Sequence, residues 1–161
     1  MISGHTSIGA SIEYYIARDK MKHKKILCID FDGVLHGYQS GWQGEGVIND
    51  PPVEGSMEWL LELIKSDKFN VCIYSSRSKS QEGIQAMKQW LKTGLSPYYP
   101  LFDFEGPEEI TWAFIDENIE FPTQKPSAFL TIDDRCFLFE GEFPDIVEIE
   151  NFMPWYCYQD C

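Results

Sequence analysis

Asp30 and Asp32 flank Phe31 where the apolar run ILCIDF (residues 26–31) gives way to Gly33. While the chain stays extended, two residues spaced by two project to the same side, and the glycine is free to turn the backbone directly afterwards. Two carboxylates so placed can divide a phosphoryl transfer between them: one attacks and forms an aspartyl-phosphate, and the other moves a proton as general acid and base. Ser75 with Arg77, and the pair Asp133 and Asp134, offer further polar and acidic groups later in the chain. Several carboxylates in one crevice repel one another and favour a hard divalent cation. Oxygen ligands with room for water suit Mg²⁺, and a metal-bound phosphate is then the natural ligand.

The elements that must position these groups follow from hydrophobic patterning. Residues 26–31 and 69–74 (FNVCIY) read as strands buried on both faces of a parallel sheet, and 111–115 (TWAFI) and 128–132 (AFLTI) are two more strand candidates. Met57, Leu60, Leu61 and Ile64 keep the spacing of an amphipathic helix with Ser56 as N-cap. Ile84, Met87 and Leu91 mark a second helix stopping near Gly94. Alternating strands and helices predict an α/β fold, a Rossmann-like open parallel sheet with helices on both faces. In such a sheet ligands sit beyond the carboxyl ends of the strands. Three of the four candidate strands end in the residues singled out above, so groups scattered in sequence are expected to converge.

Composition bounds the rest. A chain of 161 residues with 43% hydrophobic residues, including 11 Phe, 8 Tyr and 5 Trp, encloses one core and is too apolar to be disordered. Residues 1–23 read as an N-terminal extension carrying a short amphipathic stretch (Ile12, Tyr15, Ile16) and a basic cluster from Arg18 to Lys25. Residues 24–161 read as a single α/β domain, with a glycine-rich flap loop at 36–55 and an aromatic, acidic tail at 141–161. In that tail Phe143, Phe152, Trp155 and Tyr156 are expected to strap the core shut. The net charge is −13, and the excess lies entirely beyond residue 99, where 15 acidic residues meet only Lys125 and Arg135. Such a surface disfavours nucleic acid and anionic lipid.

Five cysteines without a disulfide spacing point to a reducing, cytoplasmic setting, and no run is apolar enough to span a bilayer, so no membrane partner is expected. Gly41, Gly44 and Gly46 form no dinucleotide fingerprint, and no glycine-rich loop ends in Gly-Lys-Ser/Thr. His36 is expected to be a solvated loop residue and Trp42 to pack over the base of its loop. Cys157 and Cys161 read as part of a reduced tail.

Asp30-Phe31-Asp32-Gly33-Val34-Leu35, Tyr74-Ser75-Ser76-Arg77, Lys125-Pro126 and Ile132-Asp133-Asp134-Arg135 occur in that order. They resemble the four motifs of the haloacid dehalogenase-like (HAD) phosphatase superfamily over roughly residues 24–139. The resemblance implies a Mg²⁺-dependent phosphomonoester hydrolase in which Asp30 is nucleophile and metal ligand. Asp32 would be the general acid and base, reaching the metal through its backbone carbonyl, and Ser75 would bond the phosphoryl oxygens. Asp133 and Asp134 would complete the metal site, Asp134 being favoured as the direct ligand. Asp32 points to phosphate chemistry, because the dehalogenase members lack it. The family's lysine aligns with Lys125, only eight positions before Asp133. A fully extended approach at about 3.3 Å per residue would start Lys125 near the far end of the sheet. A bend or a short strand must bring it back, and Arg77 is the rival cation for the phosphate.

Little sequence is left for a cap domain, and in this the chain resembles capless members with large substrates or open sites, so the expected phosphorylated substrate is a small molecule or a macromolecule. Two other readings stand beside the hydrolase. One is a non-catalytic interaction module of the same fold; the other is a polynucleotide 3′-phosphatase, suggested by the Ile-Asp-Asp-Arg ending and opposed by the acidic charge.

Overall fold

The computed structural model describes residues 24–105, 108–138 and 140–158. The expected N-terminal extension, the greater part of the basic cluster and Cys161 lie outside the described residues. The sheet has four parallel strands: β1 (Lys25–Ile29), β2 (Phe69–Ile73), β3 (Ile119–Glu120) and β4 (Leu130–Ile132), in the spatial order β3-β2-β1-β4. The two longest strands are the two continuous apolar runs, and β1 sits between β2 and β4, so it is covered along both edges. Cys28 and Cys72 face each other in the β1/β2 register and are buried free thiols, with burial pushing the Cys72 thiol up to about 12.

Helix α1 (Ser56–Ser66) buries Met57, Leu60, Leu61 and Ile64, and α2 (Gln81–Leu95) buries Ile84, Met87, Leu91 and Leu95. Both faces follow the expected periodicity and join Leu27, Ile29, Val71 and Ile73 in one core. Two helix ends differ from expectation. Gly55, at φ 77°, occupies the N-cap position of α1, and Ser56 is the first helical residue, its hydroxyl donating to the Leu35 carbonyl oxygen. Helix α2 runs through Gly94 to Leu95, because its apolar face continues to Leu95 and nothing at Gly94 turns the chain.

The larger correction concerns residues 111–115. TWAFI is not a strand: Thr111 accepts a hydrogen bond from the Phe114 N–H (3.0 Å) and caps helix α3 (Trp112–Asn118). Its Ile115 is buried, its Phe114 packs edge-on against the Tyr99 and Phe104 rings, and the third strand follows at Ile119. A side-chain cap outweighs the β preference of a short aromatic and β-branched run. The tail also departs from expectation. It carries helix α4 (Ile146–Glu150) and a 3₁₀ turn at Trp155–Tyr158, but Phe143 is 87% exposed and none of Phe143, Phe152, Trp155 and Tyr156 belongs to the core. Among the described residues no helix is long and apolar enough to cross a membrane.

The loop at 36–55 is stitched to its surroundings rather than free. Gly37 N–H donates to the Pro51 carbonyl (2.9 Å), Val53 N–H to that of Leu35 (2.9 Å), and the Trp90 indole to that of Asp50 (3.3 Å). Trp42 is 48% exposed, and the Arg77 guanidinium lies 4.8 Å from its ring centroid.

The two glycines of α2 should respond oppositely to alanine. A Cβ at Gly83 would meet the Arg77 carbonyl oxygen at 2.2 Å, a backbone atom with little freedom to move. Gly83→Ala is expected to lose about 2–3 kcal/mol in urea unfolding, the cost of overpacking. At Gly94 the nearest atom is the flexible Met57 sulfur at 3.0 Å, so Gly94→Ala should stay within about 1 kcal/mol of the parent, the improved helix propensity offsetting a small shift of Met57.

Candidate active site

Sheet hydrogen bonding continues to the very edge of the acidic cluster. Asp30 N–H donates to the Ile132 carbonyl (2.9 Å) and Tyr74 N–H to that of Ile29 (3.1 Å), which fixes the ends of β1, β2 and β4 against one another. Just beyond those ends lies a cavity of about 260 Å³ lined by Asp30, Asp32, Ser75, Lys125, Asp133 and Arg135, among others. Five of the seven sequence-derived site residues therefore line one cavity. Asp134 lies against it, and Arg77 does not line it.

Asp30, Asp133 and Asp134 each present a carboxylate oxygen within 4.8 Å of the others. The Asp134 side chain is only 1% exposed, and neither of its oxygens has a hydrogen-bond partner. Arg135 Nε is its nearest cation, 3.5 Å from Oδ2. Buried carboxylate oxygens without donors are costly. A hard divalent ion bound by this trio would satisfy them, so the donor set fits Mg²⁺. Burial, opposed by a backbone hydrogen bond and reinforced by Asp133, Asp134 and Asp32, pushes the Asp30 carboxyl up to about 7. Burial likewise raises Asp134, with Arg135 opposing it.

Gly33 makes the close packing possible. It sits at φ 88°, and a Cβ there would lie 2.7 Å from Asp134 Oδ2 and 2.7 Å from the Tyr156 ring.

Asp32 has the opposite surroundings. Arg77 Nε donates to both of its oxygens (3.1 and 2.9 Å), and His36 Nδ1 lies 2.9 Å from Oδ1. Asp50 N–H donates to His36 Nε2 (3.1 Å), so that nitrogen is an acceptor and the ring proton sits on Nδ1, donated to Asp32. Burial alone would raise the Asp32 carboxyl; the His36 and Arg77 hydrogen bonds and the Arg77 charge outweigh it and hold the group below the ordinary carboxylate range.

Arg77, expected as the rival of Lys125 for the phosphate, lies outside the cavity lining and clamps Asp32 instead. Its side chain is wholly buried, and Nη1 donates to the carbonyls of Gly44, Glu45 and Val47 at 2.8–2.9 Å. Every described contact of the guanidinium points to Asp32 and the 36–55 loop. His36 is likewise no solvated loop residue: it is 1% exposed and stacks on Phe31.

Lys125 lines the cavity because β4 is only three residues long. Ala128 N–H donates to the Pro126 carbonyl, turning the chain before Phe129 pairs with Ile26, so the approach from Lys125 is not extended. Ser75 caps the 3₁₀ turn at Ser76–Lys79. Its hydroxyl oxygen accepts from Arg77 N–H (3.4 Å), which leaves the hydroxyl proton for a ligand.

Tyr38 and Tyr156 are site residues that sequence reasoning missed, and Arg135 was given no role there. Arg135 directly follows the acidic pair, a position that could have flagged it. Tyr156 comes from the tail, where Trp155 Nε1 donates to the Gly33 carbonyl (2.8 Å) and lays the segment beside the acidic trio.

Arg77→Met should be costly, since it strands the buried Asp32 carboxylate: a loss of about 3–5 kcal/mol in denaturant unfolding is expected. A second expectation concerns pH. Without metal, folded Asp30 holds its proton up to about 7 while an unfolded aspartate releases it near 3.8. Its stabilising contribution is therefore complete below about 4 and is lost as pH rises through 7. A Mg²⁺ ion bound by the trio would take the place of that proton, so thermal melts should show a small Mg²⁺-induced rise in Tm at pH 5 and a larger one at pH 8.

No protein-family model, curated protein or solved structure matches this chain.

Proposed function

We propose that the protein is a Mg²⁺-dependent phosphomonoester hydrolase working through an aspartyl-phosphate on Asp30. One observation carries the reading: Asp30, Asp133 and Asp134 cluster, with the Asp134 oxygens buried and unpartnered, at the rim of a cavity that also holds Asp32, Ser75 and Lys125. The four ordered motifs of the HAD phosphatase superfamily support it, as does the parallel strand order, read here as a Rossmann-like sheet without a large cap. Metal bound by Asp30, Asp133 and Asp134 would offset negative charge on the transferring group, where such reactions gain most of their acceleration.

The chain's own residues supply the remaining chemistry. A carboxylate oxygen of Asp30 attacks phosphorus and the ester oxygen departs. Water then attacks the acyl phosphate, releasing phosphate and restoring Asp30. Ser75 donates its hydroxyl proton to a phosphoryl oxygen, and Lys125 brings the positive charge that Arg77, locked on Asp32, does not. The protonated form of Asp32 passes its proton to the leaving oxygen, and the carboxylate so formed takes one from the attacking water. Its bonds to His36 and Arg77 favour the ionised form, which suits it best to the water step. The substrate is a phosphorylated molecule rather than a nucleic acid, in keeping with the acidic charge beyond residue 99.

The test is p-nitrophenol release from p-nitrophenyl phosphate. Turnover should require Mg²⁺, disappear with EDTA and return on re-addition. It should fall by roughly 10³-fold or more in Asp30→Asn, since the nucleophile itself is removed. An Asp30→Asn protein that folds by circular dichroism and still turns over at the parental rate would overturn the assignment. Metal binding without turnover of any ester would leave a non-catalytic module.

A further inference from the structure

A second cavity, of about 630 Å³, opens beside the first and shares Tyr38 and Arg135 with it. Its volume lies within the range of small-molecule sites and exceeds what a phosphoryl group alone would fill. Tyr156 and Phe152 of the tail form its far side.

Tyr38 and Tyr156 meet edge to face, with centroids 6.1 Å apart and planes at 80°. Two rings at that angle form a corner in which a planar guest can stack on one face and meet the edge of the other. The corner is anchored to the phosphoryl cavity by Arg135. Its guanidinium lies 5.4 Å from the Tyr38 centroid, Nη2 donates to the Tyr156 hydroxyl (2.5 Å), and Nε is 3.5 Å from Asp134. Tyr38 also adopts φ 62°, a conformation that costs a tyrosine backbone energy and glycine none. Contacts with His36, Arg135 and Tyr156 hold its ring in place nonetheless.

Resting on the phosphatase reading, we propose that this aromatic corner is the leaving-group subsite and that the substrate is a phosphate ester of a planar aromatic group. Tyr38 and Tyr156 supply the contact surface, and Arg135 is a positioning residue that holds both rings against the acidic cluster.

Turnover rates would mix ring recognition with leaving-group acidity, so the test reads equilibrium binding of non-hydrolysable phosphonates by calorimetry in Mg²⁺. Phenylphosphonate and a nucleoside 5′-methylenephosphonate are compared with methylphosphonate. At least one aromatic ligand should bind about tenfold more tightly than methylphosphonate, equivalent to about 1.4 kcal/mol. Which of them gains shows whether the ring sits next to the phosphoryl group or a sugar away. The advantage should shrink below about threefold in Tyr156→Ala and in Tyr38→Gly, the latter chosen because glycine accepts that φ, and it should persist in Tyr156→Phe. Equal affinities in the parent protein, or an advantage surviving in both ring-removing variants, would overturn the subsite. Aromatic preference without hydrolysis of p-nitrophenyl phosphate would sustain the subsite as an aryl-phosphoryl binding site and remove the phosphatase reading. Hydrolysis without aromatic preference would do the reverse.

Discussion

The buried pairing of Arg77 with Asp32 is the constraint on which the rest of the site depends. Arg77 follows β2 and Asp32 follows β1, so the contact ties the carboxyl ends of two neighbouring strands across the mouth of the sheet. Removing both charges from water is expensive, and their attraction offsets that cost only if the remaining donors find partners. Nη1 finds them in three carbonyls of the 36–55 loop, whereas the buried Nη2 makes no hydrogen bond, so the pair is only partly compensated. The path of that loop is therefore set by the need to solvate a guanidinium with peptide oxygens. The carbonyl of the same residue lies so close to Gly83, in the first turn of α2, that no side chain fits there.

From that clamp follows the division between the two aspartates of one strand end. Both are substantially buried, which by itself would raise both. Asp30 faces three other carboxylates and is pushed up to about 7; Asp32 faces Arg77 and His36 and falls below the ordinary range. Environment rather than residue type separates them, as in other sites where two carboxyls take different roles. The separation relies on residues from β2 and from the loop, so it exists only in the folded chain.

The legible part of the sequence was the part governed by local pattern. Long apolar runs showed β1 and β2, helical spacing showed the buried faces of α1 and α2, and the acidic strand ends showed which groups would gather. Long-range partners were not legible. Arg77 reads as a free cation after a strand, and only its distance from the 36–55 loop in the fold reveals the three carbonyls that bury it. His36 lies in a polar, glycine-rich stretch that looks solvated, yet Phe31 and Trp90 enclose it from two other elements. TWAFI satisfies a strand pattern, and the decisive signal was one threonine hydroxyl at a helix start. The tail aromatics suggested a strap over the core; Trp155 and Tyr156 lie instead on the acidic cluster, a placement that depends on the carbonyl of Gly33 over a hundred residues earlier.

That glycine couples the floor of the site to its wall. Its missing Cβ leaves room for both the Asp134 carboxylate and the Tyr156 ring, while its carbonyl receives the Trp155 indole. Asp134 in turn pairs with Arg135, which bonds the same Tyr156. The contacts thus close a ring through Gly33, Asp134, Arg135 and Tyr156, linking the turn after β1, the turn after β4 and the C-terminal segment. The acidic cluster and the aromatic corner are therefore joined by continuous contacts.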